Sequence, residues 1–151
     1  MRFQTFFKSV LFITFALWFG GFLFYSGFVI SNAHAVLKDH EMVGMITQRV
    51  TPVLNFTGAV AVVLLFINHF KEIKTKLSLT LLIVIISTLI AQFFLHFFMS
   101  RYINLELLEL TQHKKFYRLH RIYLILSTIQ FFSLTGYIPV LIKSWSLKPS
   151  V

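Results

Sequence analysis

The chain has 151 residues, of which 57% are hydrophobic and 13% are charged, against about 25% charged in an average soluble domain. A soluble protein of this size could not hide so much apolar surface, because small domains leave a large fraction of their surface in contact with water. The composition therefore excludes a soluble globule, a disordered chain and a disulfide-rich secreted module. The chain contains no cysteine, which excludes thiol chemistry, and we predict an integral membrane protein.

Four long stretches carry no charged residue and divide the chain into predicted membrane spans. They are 29, 21, 24 and 21 residues long, and a helix needs about 20 residues to cross the hydrocarbon core. Their apolar residues do not alternate with polar ones as they would in a β-barrel, and backbone groups in lipid must be bonded within a helix. We predict an all-α fold, a four-transmembrane-helix bundle in a single membrane domain over 1–151, with spans at about 9–31, 50–70, 77–100 and 120–142.

The ends of the spans carry further signals. Pro52 is expected in the first turn of the second span, where its missing N–H costs little, and Pro139 is expected to bend or end the last turn of the fourth. The first joint, Lys38–Arg49, lies in the membrane interface or extends the second span. The third joint, Arg101–Thr111, is expected to extend the third span beyond the bilayer.

The N-terminus and the orientation leave alternatives. The basic start and the sequence Ala33-His34-Ala35 resemble a secretory signal, but the apolar stretch exceeds the roughly 7–15 residues of a signal core, so we expect the span to be retained. Seven cations fall on each side of the predicted membrane, which makes the positive-inside rule a tie. The cations near the N-terminus and the three within 71–76 favour a multi-pass protein of the cell (inner) membrane with both ends inside, and dual topology is the alternative.

Small residues in the first span form a predicted packing seam. They recur 4, 7 and 4 residues apart, which places them near one helical face, and small residues allow close approach between membrane helices. A ligand that approaches the glycine backbone is the alternative explanation. The seam consists of Ala16, Gly20, Gly27 and Ser31.

Polar side chains in the other spans form a candidate polar core. An amide inside a span is expected to face the bundle and to form hydrogen bonds, so Gln130 could meet Gln92 or Asn55. An ionisable residue in a span is costly and often functional, so His96 is either a hydrogen-bonded structural histidine or a ligand or proton carrier. The predicted set is Asn55, Gln92, His96, His120 and Gln130.

The fourth span begins with a basic cluster. Cations that border a span meet anionic lipid headgroups, so membrane lipids are the expected partner. Docking of an anionic substrate or a cofactor carboxylate is the alternative, and nucleic acid is not expected despite a net charge of +9. The cluster comprises Lys114, Lys115, Arg118 and Arg121.

Five of the six histidines and the three internal methionines share one side of the predicted membrane. Thioethers and imidazoles together suit copper(I), and histidine pairs ligate haem iron. Because no pair has a fixed-spacing metal motif, no cofactor is expected, and haem or copper is the alternative. The candidate ligands are His96, His120, Met42, Met45 and Met99.

Three segments resemble a known group: ALWFGGFLF at 16–24, ITQRVTPVLNFTG at 46–58 and FYRLHRIYLILSTIQ at 116–130. They are similar to a bacterial four-span membrane family with a domain of unknown function, akin to the eukaryotic transmembrane-protein-205 group. The resemblance implies a four-helix membrane bundle, and the association of the eukaryotic branch with drug and metal tolerance implies traffic of small molecules. The matching residues are Trp18, Gly20, Arg49, Asn55, Phe116 and His120.

Three functions remain open on this basis. We expect a small non-catalytic bundle that acts as a scaffold, as a partner in a membrane complex or as a lipid-associated subunit. The first alternative is a small transporter or efflux protein, working as a homodimer because four spans rarely enclose a path alone. The second alternative is a haem- or copper-binding redox protein using His96 and His120, which antiparallel third and fourth spans would place at similar depth.

Overall fold

A computed structural model of the chain describes residues 2–73, 75–104 and 109–146. Within them, four helices are long and apolar enough to cross a membrane, so the all-α membrane-bundle prediction is confirmed. The first helix comprises Arg2–Phe24, a π-helical turn at Tyr25–Val29, and Ile30–Leu37; the second comprises His40–Asn68 and a π-helical turn at His69–Ile73; the third is Lys76–Ser100 and the fourth is His113–Ser146.

The second helix begins well before its predicted span, because Asp39 caps it. The Asp39 carboxylate accepts hydrogen bonds from the backbone N–H groups of Glu41 and Met42, which are otherwise unpaired at a helix start. The first joint therefore extends the second helix, which is one of the two arrangements predicted for it. The expected position of Pro52 was wrong, since it lies inside the helix rather than in its first turn. Pro139 likewise lies inside the fourth helix and does not end it.

The third joint does not extend the third helix as predicted. The helix ends at Ser100, a turn follows, and Ile103–Asn104 pairs antiparallel with Glu109–Leu110. The pairing is continued by a hydrogen bond from the Thr111 N–H to the Tyr102 carbonyl. Leu110 is buried beside Met99 and Phe116, so the hairpin folds back to cover the end of the bundle instead of leaving it.

A tight turn joins the first two helices. Lys38 adopts a left-handed conformation with φ 50°, which costs a residue with a side chain roughly 1–2 kcal/mol. Its N–H donates to the His34 carbonyl at 3.1 Å, which closes the end of the first helix. With only Lys38 and Asp39 between the helices, the rings of His34 and His40 come to 4.8 Å between centroids.

One half of the bundle is filled by apolar side chains from all four helices, and we call it the packed half. It contains the start of the first helix, the end of the second, the start of the third and the end of the fourth. Tight packing rather than exclusion of water holds helices together in lipid, so these contacts stabilise the bundle. Its fully buried members include Leu11, Leu65, Ile85 and Tyr137.

Gly58 on the second helix lies directly against a side chain of the first helix. A Cβ atom on Gly58 would come within 2.5 Å of the Trp18 indole, a distance at which something must move. Trp18 is almost wholly buried. Glycine at position 58 therefore makes room for the indole. This contact lies at the end of the packed half that faces the middle of the bundle.

The predicted packing seam lies on the outside of the bundle in the part of the chain that the structure describes. All four of its residues are exposed on the first helix, and an added Cβ at either Gly20 or Gly27 would meet nothing within 4 Å. The side of the first helix that packs inward carries large residues instead, Phe15 and Trp18 among them. The seam of Ala16, Gly20, Gly27 and Ser31 is thus free on the outside of the bundle, and its role in association between chains stays a prediction.

Candidate functional site

The other half of the bundle encloses a cavity of about 350 Å³, and we call it the cavity half. This volume falls within the range of about 300–1,000 Å³ typical of small-molecule sites. The walls come from the first, second and fourth helices, and Gln92 contributes from the third. The cavity is therefore a space between four helices and not a groove on the surface of one of them.

A π-helical turn shapes the wall on the first helix. The turn covers Tyr25–Val29, and its first two residues, Tyr25 and Ser26, line the cavity. A π-helical turn inserts an extra residue into the helix and shifts the side chains that follow, and such turns are frequent at functional sites. The run of apolar residues in this segment gave no sign of it, so sequence reasoning missed Tyr25.

The lining is uncharged. Among the residues that the structure describes, no lysine, arginine, aspartate or glutamate lines the cavity. Its polar atoms belong to amides, hydroxyls and imidazoles, and aromatic rings cover much of the rest. A charge at this depth would be costly, so the cavity suits a ligand part that is itself uncharged.

Amides and hydroxyls of three helices form the floor. The Tyr123 hydroxyl donates to Asn55 Oδ1 at 3.1 Å, and Gln92 Nε2 donates to Ser127 Oγ at 3.0 Å. The prediction that Gln130 would meet Gln92 or Asn55 was wrong as regards hydrogen bonds, because these two amides bond to Ser127 and Tyr123 instead. Sequence reasoning missed Tyr123 and Ser127 because hydroxyls alone carry little signal in a membrane span.

Two amide nitrogens at this floor have no acceptor. In the described part of the chain, Asn55 Nδ2 and Gln130 Nε2 are buried and form no hydrogen bond, and both residues are only 4% exposed. Leaving a buried donor unpaired costs about 1–3 kcal/mol. A ligand with acceptor oxygens would remove that cost at both positions.

The cavity opens between the first and fourth helices. The exposed members of its lining are Ser26 on the first helix and Tyr117 and Leu124 on the fourth, together with His40 at the start of the second. Towards the packed half the same two helices touch, because Phe19 and Phe131 stack at 5.6 Å between centroids. A molecule in the surrounding lipid could therefore enter sideways above this aromatic contact.

Histidines lie around the outer end of the cavity. His34, His40 and His120 line it, and the His120 ring stacks on Phe116 at 5.9 Å. Nearby, His113 Nδ1 lies 3.1 Å from the Glu41 carboxylate and so links the start of the fourth helix to the start of the second. The His34–His40 ring contact thus joins the first helix to the second, and the His113–Glu41 contact joins the fourth helix to the second.

His96 has a different partner, which follows from Pro52. Proline lacks the N–H that would bond the carbonyl four residues earlier, here the carbonyl of Gln48. His96 Nε2 lies 3.2 Å from that carbonyl oxygen and must be the donor, because the oxygen can only accept. The third helix thereby supplies the hydrogen bond that the proline removes from the second, which favours the structural interpretation of His96.

The basic cluster lies outside the cavity. Lys114, Lys115, Arg118 and Arg121 are all exposed in the first turns of the fourth helix. Cations are unfavourable at a helix N-terminus unless an anion accompanies them, and the contact of this cluster with anionic lipid headgroups stays a prediction.

The candidate metal ligands are spread over several places. His96 bonds the second helix while His120 faces the cavity. Met42 is exposed, whereas Met45 and Met99 are buried. Among the described residues there is no group of three or more His, Cys, Asp or Glu side chains placed to hold a metal ion.

Comparisons of the chain with protein-family models, with curated proteins and with solved structures found no match. The resemblance to the four-span family therefore stays a prediction. The function has to be argued from the cavity itself.

Proposed function

We propose that this protein is a non-catalytic, lipid-associated membrane protein that holds an uncharged, lipid-like molecule in the cavity between its first, second and fourth helices. The observation that carries the proposal is the pair of buried amide donors, Asn55 Nδ2 and Gln130 Nε2, which lack acceptors at the floor of an uncharged cavity. A bound molecule with acceptor oxygens would give both donors a hydrogen-bond partner.

The surroundings of the cavity support the same proposal. Its mouth lies between two helices rather than along the axis of the bundle, so the surrounding bilayer is the nearest source of a ligand. The exposed cations of the fourth helix border that mouth and would hold anionic headgroups there. We place the protein in the cell (inner) membrane with both ends inside, where it would act alone, as a homodimer or within a larger complex.

The test is to measure what the purified protein retains. The protein would be purified in mild detergent, and the organic molecules extracted from it would be identified and counted by mass spectrometry. The Gly44→Leu variant fills the cavity, since a Cβ at this lining glycine lies 3.9 Å from Phe116 and leaves room for the substitution. Gly136→Leu is the matched control, because this exposed glycine lies outside the cavity.

We expect one molecule per chain, retained by the wild type and by Gly136→Leu and lost from Gly44→Leu. Equal retention by the two variants, or a mixture that matches the bulk membrane in all three proteins, would contradict the proposal. The two glycine replacements gain similar helix propensity, so a difference between them reports on the cavity rather than on helix stability.

A small transporter is the second candidate, and a feature of the packed half favours it. Among the described residues, neither atom of the Asn68 side-chain amide has a hydrogen-bond partner, nor has the Tyr137 hydroxyl, and all three atoms are buried. In a transporter, these groups would become hydrated in a second conformation that opens to the side of the membrane opposite the cavity. Because the chain has no cysteine, Asn68→Cys and Thr51→Cys can be labelled singly from each side of sealed vesicles. A transporter predicts that each becomes accessible from its own side, whereas a retained lipid predicts that Asn68→Cys stays protected.

A further inference from the structure

We propose that the cavity is a site for a quinone, a planar ring with two carbonyl oxygens and a long apolar tail. This inference rests on the proposed function and names its ligand class. Three buried polar atoms of the cavity lining have no hydrogen-bond partner among the described residues. Two of them are amide N–H donors, Asn55 Nδ2 on the second helix and Gln130 Nε2 on the fourth, and the third is the hydroxyl of Tyr25 on the first helix. A hydroxyl can donate as well as accept, so a ligand with more than one acceptor oxygen can pair with these groups.

Several common membrane molecules fail this requirement. A fatty acid carboxylate, a phosphate or an amine would bring a charge into a lining without a charged partner among the described residues, which is costly in a bilayer. A sterol or a simple long-chain alcohol offers one oxygen for two donors on different helices. A quinone offers two ring carbonyls on opposite edges and carries no charge.

The depth of Gln130 in the membrane excludes the ester carbonyls of glycerolipids as its acceptors. These carbonyls lie close beneath the headgroups, which the exposed Arg118 and Arg121 would contact. Gln130 lies nine residues further along the fourth helix than Arg121, and at 1.5 Å per residue that is about 14 Å deeper. An acceptor at Gln130 therefore belongs to a group that enters the hydrocarbon region, as an uncharged ring on an apolar tail does.

The walls fit a flat ring. Trp18, Phe22, Tyr25 and Tyr123 line the inner part of the cavity, and aromatic side chains favour stacked or edge contacts with another ring. The tail would leave between the first and fourth helices, past the exposed Leu124. The site holds the ring in its oxidised form.

Trp18 supplies a built-in reporter for the test. It lines the cavity, whereas the other tryptophan, Trp145, lies near Phe12 in the packed half. The full-length Trp145→Phe protein in mild detergent would be titrated with a decyl-substituted benzoquinone while Trp18 fluorescence is recorded. Trp18→Phe, which leaves Trp145 as the reporter, shows how much quenching comes from quinone dissolved in the micelle.

We expect saturable quenching of Trp18 at one quinone per chain and only linear quenching of Trp145. Gln130→Met keeps the length of the side chain and removes the donor, so the dissociation constant should rise about three- to tenfold, as for the loss of one hydrogen bond. Gln112→Met, the same change at an exposed residue before the fourth helix, should leave it unchanged. Decanol and phosphatidylglycerol should compete poorly, and the reduced quinol should bind more weakly than the quinone, because its phenolic oxygens are poorer acceptors than carbonyl oxygens and its O–H groups need acceptors of their own.

Linear quenching of both tryptophans, or equal binding by Gln130→Met and the wild type, would overturn the inference. Gln130 forms no hydrogen bond through its amide nitrogen in the structure, so Gln130→Met should fold, and an unchanged unfolding temperature without ligand verifies this. If the extracted ligand is a glycerolipid or a sterol, the quinone inference fails while the proposed function stands. If nothing is retained and no quinone binds, both fail.

Discussion

The two halves of this bundle are built from the same four helices but differ in what fills them. In the packed half, side chains such as Leu65 and Ile85 are completely buried against one another. In the cavity half, the helices separate around a space of about 350 Å³, and the unpaired amide donors of Asn55 and Gln130 belong to residues that line it. The packed half also buries an unpaired amide, that of Asn68, but this residue is not part of the cavity lining. The Trp18–Gly58 contact lies at the boundary between them.

The difference assigns stability to one half and binding to the other. Close packing in the first half can hold the helices in register around the space in the second half, where the unpaired polar groups have room for a ligand beside them. Natural proteins commonly depart from the rules of packing and polar satisfaction at functional sites. The comparison can be tested by making similar changes in both halves.

The largest effect is expected from the same substitution made on either side of the boundary. Leu65→Ala in the packed half removes a fully buried side chain and should lower the free energy of unfolding by about 2–5 kcal/mol. Leu54→Ala removes a side chain that already borders the cavity and should cost less than Leu65→Ala, because the cost rises with the new void that a truncation leaves in packed surroundings. Unfolding of both variants in detergent, measured by circular dichroism, gives the difference. Equal losses would mean that the halves are equally packed.

At the boundary itself, adding one methyl group should be harmful. In Gly58→Ala the new Cβ would lie 2.5 Å from the Trp18 ring, and overpacking of this kind costs about 1–3 kcal/mol. Gly136→Ala is the control, since its Cβ would lie 3.7 Å from Leu81, an ordinary contact. The control should be neutral or more stable by up to about 1 kcal/mol because alanine is the better helix former. Thermal unfolding of the two variants separates the outcomes.

In the cavity half, His96 and Pro52 should be coupled. His96→Leu should cost about 1–3 kcal/mol, because the Gln48 carbonyl then loses its donor in a buried place. In a Pro52→Ala background the loss should be much smaller, since the backbone N–H that this substitution restores can bond the same carbonyl within the helix. A double-mutant cycle of unfolding free energies measures this coupling. An unchanged cost in the Pro52→Ala background would refute the structural role given to His96.

The smallest effect on folding is expected at the packing seam on the outside of the first helix. Gly20→Leu meets nothing within 4 Å, so the unfolding free energy of the single chain should change by less than about 0.5 kcal/mol. If the seam joins two chains, the same variant should abolish chemical cross-linking between copies in membranes. Loss of folding in the monomer would show that the seam acts inside the chain instead.

The charge distribution alone predicted four membrane helices, because the charged residues leave four uncharged stretches that are each long enough to cross a membrane. Polar residue type also predicted that Asn55 and Gln92 would face the bundle. The partners of these side chains were beyond reach, since Tyr123 lies 68 residues from Asn55 and no local pattern joins them.

Two features had physical causes that a pattern search does not weigh. The glycine needed for close approach is Gly58, facing Trp18, rather than the regularly spaced Gly20 and Gly27, because spacing does not tell which face points inward. His96 gains its role from Pro52 only once the third helix packs beside the second. The hairpin after Ser100 was missed for the same reason, since the burial of Leu110 beside Phe116 is a tertiary contact.

The most direct test of the central claim is photocrosslinking in whole membranes. A diazirine side chain would replace Thr47, which lines the cavity, or Thr128, an exposed threonine of the fourth helix whose hydroxyl likewise donates within its own helix. We predict that position 47 captures one molecular species in a fixed ratio to the protein, whereas position 128 captures the bulk lipids in proportion to their abundance. Capture of the same bulk mixture at both positions would contradict a retained ligand and with it the division of this bundle into two halves.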